Sequence, residues 1–151
     1  MAILTNSDLV NIWRQARDEA IFPAGHTANE FGVVAVGGKL TPRWVLNAYV
    51  QGIFPWPLDL DEGTEEKVLG WFCPNPRTVL FPANLHIPRR LRRKIRSGRF
   101  RVTSDQSFAA VISECSGPRV IEGELETGTW ITGEMKSVYE KLHEKGIAHS
   151  I

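Results

Sequence analysis

Arg89, Arg90, Arg92, Arg93, Lys94, Arg96, Arg99 and Arg101 crowd into the single stretch Pro88–Arg101, PRRLRRKIRSGRFR. No protein interior accepts so many unpaired charges, so this stretch belongs to the surface and the rest of the chain has to supply the core. Leu91 and Ile95 stand four apart, which places them on one face of a helix and spreads the cations over the remainder. Pro88 suits a first helical position and Gly98 the position just past the end. The expectation is a short helix docked by a narrow apolar stripe, with its guanidinium groups turned to solvent. Such a surface is either an ordinary solvated face or a phosphate-binding one. The planar, permanently charged forks of arginine favour phosphate, and nucleic acid is the leading partner.

The block holds eight of the 18 basic residues, leaving ten against 17 acidic residues elsewhere, a net −7. The acid-free segment around it runs from Lys67 to Ser104. A basic region on a mildly acidic body orients an anionic partner as well as attracting it. Hydrophobic content of 42% over 151 residues suits one ordinary globular domain, or two small pieces sharing a core. Cys73 and Cys115 form neither a metal-ligand spacing nor a disulfide framework. The opening MAILTNSDL lacks a basic region followed by a long apolar core, and no apolar run reaches membrane-spanning length. A reducing cytoplasm is the expected compartment.

Periodicity predicts an amphipathic helix over 6–20 and a short strand over 31–36, halted by Gly37-Gly38. Thr41 is placed to cap a helix with Pro42 in its first position, buried through Trp44, Val45, Ala48 and Tyr49 and stopped by Gly52. Residues 53–57, IFPWP, are read as irregular because two prolines bracket one tryptophan. An acidic loop is expected over 59–66, then strands over 68–73 and 78–81 flanking Pro74-Asn75-Pro76. After the basic helix come a strand over 99–103, a helix capped by Asp105 and a loop over 121–126. A last helix is capped by Thr132 and closed by Gly146, and a strand opens at Ile147. That strand either continues in sequence absent here or serves as a terminal edge.

Several short stretches then follow one another in a distinctive order. They are Gly37–Pro42 (GGKLTP), Gly52–Trp56 (GIFPW), Pro74–Arg77 (PNPR), Leu85–Ile87 (LHI), Gly128–Thr132 (GTWIT) and Leu142–Ser150 (LHEKGIAHS). From about Ile21 to the last residue the chain resembles the bacterial leucyl/phenylalanyl-tRNA–protein transferases. Lys39, Cys73 and Asn75 stand where that family usually has Asp, Ser and Asp, and the arginines around Pro88–Arg90 are additional. The resemblance implies transfer of leucine or phenylalanine from aminoacyl-tRNA to proteins with N-terminal Arg or Lys, marking them for degradation through the N-end rule. No cofactor, metal or membrane is implied, since the aminoacyl ester is already activated. The implied fold is α/β (α+β): a small N-terminal domain over 1–76, then the first part of an acetyltransferase-like (GNAT-like) domain over 77–151. In that family the carboxylates credited with catalysis, and most of the amino-acid pocket, lie beyond the residue matching Ile151. The catalytic residues are therefore unassigned, and a non-catalytic tRNA-binding fragment or degenerate homologue is the alternative.

Aminoacyl transfer needs the ester held near an amine, a route for the amine proton, and a grip on the 3′-terminal adenosine. Trp56 and Trp130 are the candidates for stacking on that base, against the ordinary fate of tryptophan in a core. Tyr49 and Tyr139 are secondary candidates in the same cleft. Arg89, Arg90, Arg92, Arg93, Lys94, Arg96 and Arg99 are the candidate phosphate contacts, with Lys67 and Arg77 extending the track. Phe54 and Met135 suit either an apolar pocket or the core. His86, His143 and His149 invite a general-base reading, yet lone histidines are first of all structural. His149 with Ser150 has no acid beside it in sequence, so no triad is read there.

Overall fold

The computed structural model describes residues 21–59, 67–126 and 129–151. The helix expected over 6–20 lies outside the described residues, as does most of the acidic loop. Among the described residues the chain is mixed α/β. Three strands, β1 (Val33–Val36), β2 (Phe54–Asp59) and β3 (Lys67–Phe72), form an antiparallel sheet in the order β1-β3-β2. Helix α1 (Pro42–Tyr49) joins β1 to β2. Two further helices, α2 (Arg89–Arg96) and α3 (Phe108–Cys115), precede a hairpin of β4 (Arg119–Ile121) and β5 (Glu124–Glu126), and α4 (Gly133–Glu144) follows.

Of the three expected caps, the two threonines are present. Thr41 Oγ1 accepts the Trp44 N–H at 3.3 Å, and Thr132 Oγ1 accepts the Met135 N–H at 3.2 Å. Gly52 closes α1 at φ 74° and Gly146 closes α4 at φ 69°, left-handed positions where a side chain is costly. The core lies where α1 and α4 meet the sheet. Phe22, Val45, Ala48, Ile53, Trp71, Val138 and Leu142 are buried together, and Met135 is buried on the same helix as the last two. Trp71, fully enclosed, packs against Phe22 (4.6 Å between centroids) and Trp44 (5.9 Å), and its indole N–H donates to the Gly37 carbonyl at 2.9 Å. The buried polar end is thus satisfied, as a core indole requires.

The IFPWP stretch is a strand, against expectation. β2 lies at the edge of the sheet, with Pro55 opposite Trp71 and Pro57 opposite Leu69. Proline is excluded from central strands but tolerated at an edge, where its missing N–H removes nothing from the ladder. Alternation sends Pro55, which is buried, to the core face and Trp56 to the other.

Other expectations need correction. Residues 78–81, 99–103 and 147–151 are irregular, not strands. The loop expected over 121–126 is instead half of a hairpin, turned at Glu122 and Gly123 with φ of 52° and 90°. Two consecutive positive φ values are the signature of the tight turn that matches strand twist. Asp105 does not cap α3; Ser107 occupies the N-cap position and makes no side-chain cap bond. Finally, α2 is not docked. Leu91 and Ile95 are 48% and 63% exposed, so the helix buries no side chain.

Candidate functional site

The four aromatic candidates meet in two pairs. Trp56, from edge strand β2, and Trp130, two residues before the cap of α4, stack at 4.9 Å between centroids with planes 16° apart. Trp56 is 40% exposed, so the stack stands at the surface and is no core packing. Strand geometry produces this: with Pro55 anchored inward, the next residue projects outward, and Gly70 opposite Trp56 leaves it no side chain to pack on. Tyr49, at the C-terminal end of α1, and Tyr139, in α4, share a hydrogen bond between their hydroxyls. Burial pushes the Tyr139 phenol well above its ordinary range, and the Tyr49 hydrogen bond adds to the effect.

The tyrosines line a cleft of about 290 Å³ with Leu46, Phe108, Leu142 and His149. The tryptophans lie outside its lining. The cleft walls are apolar and the phenols and imidazole bring the polar groups, a composition that suits a small organic group.

Sequence reading found no acid for His149, and the structure supplies one. Asp105 Oδ2 lies 2.6 Å from His149 Nδ1, and its Oδ1 accepts the Ser150 N–H at 2.9 Å. The Asp105 N–H in turn donates to the Ser150 carbonyl at 2.9 Å. The His149 hydrogen bond first, and the Ser150 amide second, hold the Asp105 carboxyl below its usual range. His143 is structural: it stacks on Phe108 at 4.2 Å, and its Nδ1 lies 2.9 Å from the Ala148 carbonyl. His86 is exposed near α2. The only sequence signal for the Asp105 pairing was an acid preceding a helix, and that same signal suggests a cap.

The candidate phosphate contacts Arg89, Arg90, Arg92, Arg93, Lys94 and Arg96 are all exposed on α2, and Arg99 is exposed just beyond it. Arg77 is tied to the fold. It donates to the Gly52 carbonyl at 2.7 Å and lies over the Phe54 ring at 5.6 Å. Phe54 itself stacks on Phe72, and Met135 is core. No group of three or more metal-ligating side chains occurs among the described residues. No helix among them is long and apolar enough to cross a membrane.

As a class, this is a mixed α/β protein that carries a paired-indole platform and a separate, dense cationic helix. Family comparison adds two matches: the leucyl/phenylalanyl-tRNA protein transferase model over residues 79–151, and the model of that transferase's N-terminal domain over residues 38–75. The chain belongs to the leucyl/phenylalanyl-tRNA protein transferase family. The leucyl/phenylalanyl-tRNA–protein transferase of Stutzerimonas stutzeri is 47% identical over 137 residues, covering 89% of this chain and 56% of the relative. That of Magnetococcus marinus is 45% identical over 139 residues, covering 92% and 54%. The Azoarcus relative is 48% identical over 120 residues, covering 80% and 47%. The chain therefore spans about half the length of the curated relatives it matches.

Proposed function

We propose that this chain acts in aminoacyl transfer, moving leucine or phenylalanine from charged tRNA to the N-terminal amine of proteins that begin with Arg or Lys. The observation that carries this reading is the exposed Trp56–Trp130 stack in a chain of this family. Indole faces at the surface suit the 3′-terminal adenosine, and base stacking contributes about 1–3 kcal/mol. Tyr49 and Tyr139 line the apolar cleft, which receives the aminoacyl group. The α2 cations and Arg99 bind phosphates of the acceptor arm by charge, without reading sequence. The ester is already activated, so the chemistry needs no cofactor. The acceptors are degradation substrates of the N-end rule, and the reaction belongs to the cytoplasm. Residues 1–76 form the small N-terminal domain and residues 77–151 the first part of an acetyltransferase-like domain.

The second reading is a tRNA-binding module without the chemistry, supported by the fully exposed cationic helix. One experiment separates the two: transfer of labelled leucine from charged tRNA to a peptide beginning with Arg, on protein whose fold is checked by circular dichroism. Transfer that vanishes with an N-acetylated peptide supports the enzyme. No transfer from folded protein that binds tRNA supports the module.

A further inference from the structure

One cleft residue, His149, and the carboxylate behind it, Asp105, have no part in the binding roles described so far. His149 lines the cleft with Tyr49 and Tyr139, and its side chain is 56% exposed. Its Nδ1 is 2.6 Å from Asp105 Oδ2. An ionised carboxylate only accepts, so Nδ1 carries the proton. In the neutral form of the ring the lone pair is on Nε2, which has no partner among the described residues. Asp105 is itself fixed on both sides. It exchanges backbone and side-chain hydrogen bonds with Ser150 and holds a left-handed φ of 57°. The other titratable groups facing this pair are few. His143 Nδ1 is 3.8 Å from Asp105 Oδ1 but is turned to the Ala148 carbonyl, and Tyr49 and Tyr139 satisfy each other. An imidazole with a tautomer fixed by a carboxylate and a bare second nitrogen at an apolar cleft is the arrangement that accepts a proton.

We propose that His149 is the proton acceptor for the attacking amine and that Asp105 is its positioning residue. This rests on the aminoacyl-transfer reading. The neutral N-terminal amine adds to the ester carbonyl carbon, forming the C–N bond, and one amine proton passes to His149 Nε2. The bond from the carbonyl carbon to the ribose oxygen breaks, and the same proton passes from Nε2 to that oxygen. The products are the peptide bond and tRNA with a free hydroxyl, and the imidazole is again neutral.

The test is steady-state transfer from leucyl-tRNA to an Arg-initiated peptide by the full 151-residue chain, with and without added imidazole. His149→Ala lowers kcat about 100-fold or more with KM for charged tRNA unchanged, and imidazole restores part of the loss. Asp105→Asn lowers kcat about tenfold or more, again with KM unchanged, and imidazole does nothing. Should His149→Ala lose its circular dichroism signature, His149→Gln replaces it, since the ring is largely outside the packed interior. Wild-type kcat in a folded His149 variant overturns the proposal, as does a loss that imidazole leaves untouched and that comes with a raised KM. Absence of transfer by the folded wild-type chain overturns the transferase reading and this inference together.

Discussion

Removing Trp56 and Trp130 singly and together tests the indole platform both as a contact and as a binding surface. Two rings 4.9 Å apart and within 16° of parallel are in direct contact. Such a pair contributes about 0.5–1.5 kcal/mol beyond its buried area. Because Trp56 remains 40% exposed, the lower half of that range applies, so urea unfolding of Trp56→Ala, Trp130→Ala and the double variant should give a coupling of about 0.5–1 kcal/mol. The same contact leaves no room for a base between the rings, so an incoming adenosine takes an outer face or first opens the stack. A gain of about 1–3 kcal/mol from base stacking, less the opening cost, means each single variant weakens binding of the tRNA 3′ end by about 0.5–2 kcal/mol, or roughly 2- to 30-fold in Kd. Competition of an adenosine-ended oligonucleotide against labelled tRNA reads this directly. Strictly additive stability effects would show that the rings do not touch in solution. Undiminished binding by both single variants would return the indoles to a purely structural role.

Three further outcomes are expected. Arg92→Ala and Arg96→Ala each lessen the log–log salt slope of tRNA binding by about one without altering sequence preference, measured by titration at several ionic strengths; an unchanged slope counts against α2 as the docking surface. Gly38→Ala destabilises the fold by about 1–3 kcal/mol in urea unfolding, because Gly38 sits at φ +89° and an added Cβ meets the Trp44 ring at 2.4 Å; a neutral effect would mean that Trp44 swings aside freely. The folded-state pKa of Asp105 is lowered, so its contribution is fully present above the ordinary value of 3.8 and is lost as pH falls below it. The stability difference between wild type and Asp105→Asn therefore closes on acidification through that range, and a difference constant with pH would contradict the ionised pairing with His149.

The parts of the fold that sequence makes legible are those decided within a few residues. Thr41 and Thr132 cap their helices because a hydroxyl needs only an amide three positions on. Gly52, Gly98 and Gly146 follow their helices with positive φ for the same local reason. What sequence conceals depends on distant partners. The prolines of β2 argue against a strand only until its place at the sheet edge is known. Asp105 looks like a cap until residues 149 and 150 arrive, some forty-five positions later in the chain. Leu91 and Ile95 have helical spacing, but spacing alone does not provide a surface to receive them. The Glu122-Gly123 turn lacked the usual Asn or Asp before glycine, which hid the hairpin. Of the site, the residue types are readable in sequence, whereas the pairing of Trp56 with Trp130, that of Tyr49 with Tyr139, and the carboxylate behind His149 depend on distant partners.

The two prolines of β2 also decide what the outer flank of the sheet offers. Pro55 and Pro57 have the same parity along the strand, so neither presents a donor, while Trp56 and Leu58 alternate with them. A strand edge normally displays donors and acceptors in turn, which is what invites a foreign strand to join. At Pro55 and Pro57 the donors are struck out and the carbonyls remain, so this part of the rim only accepts. A visiting strand would bring its own carbonyls against this row and find half its partners missing. Water and hydroxyl groups meet no such mismatch. Over these two residues the sheet edge therefore resists growth while staying open to small donors beside the exposed ring of Trp56.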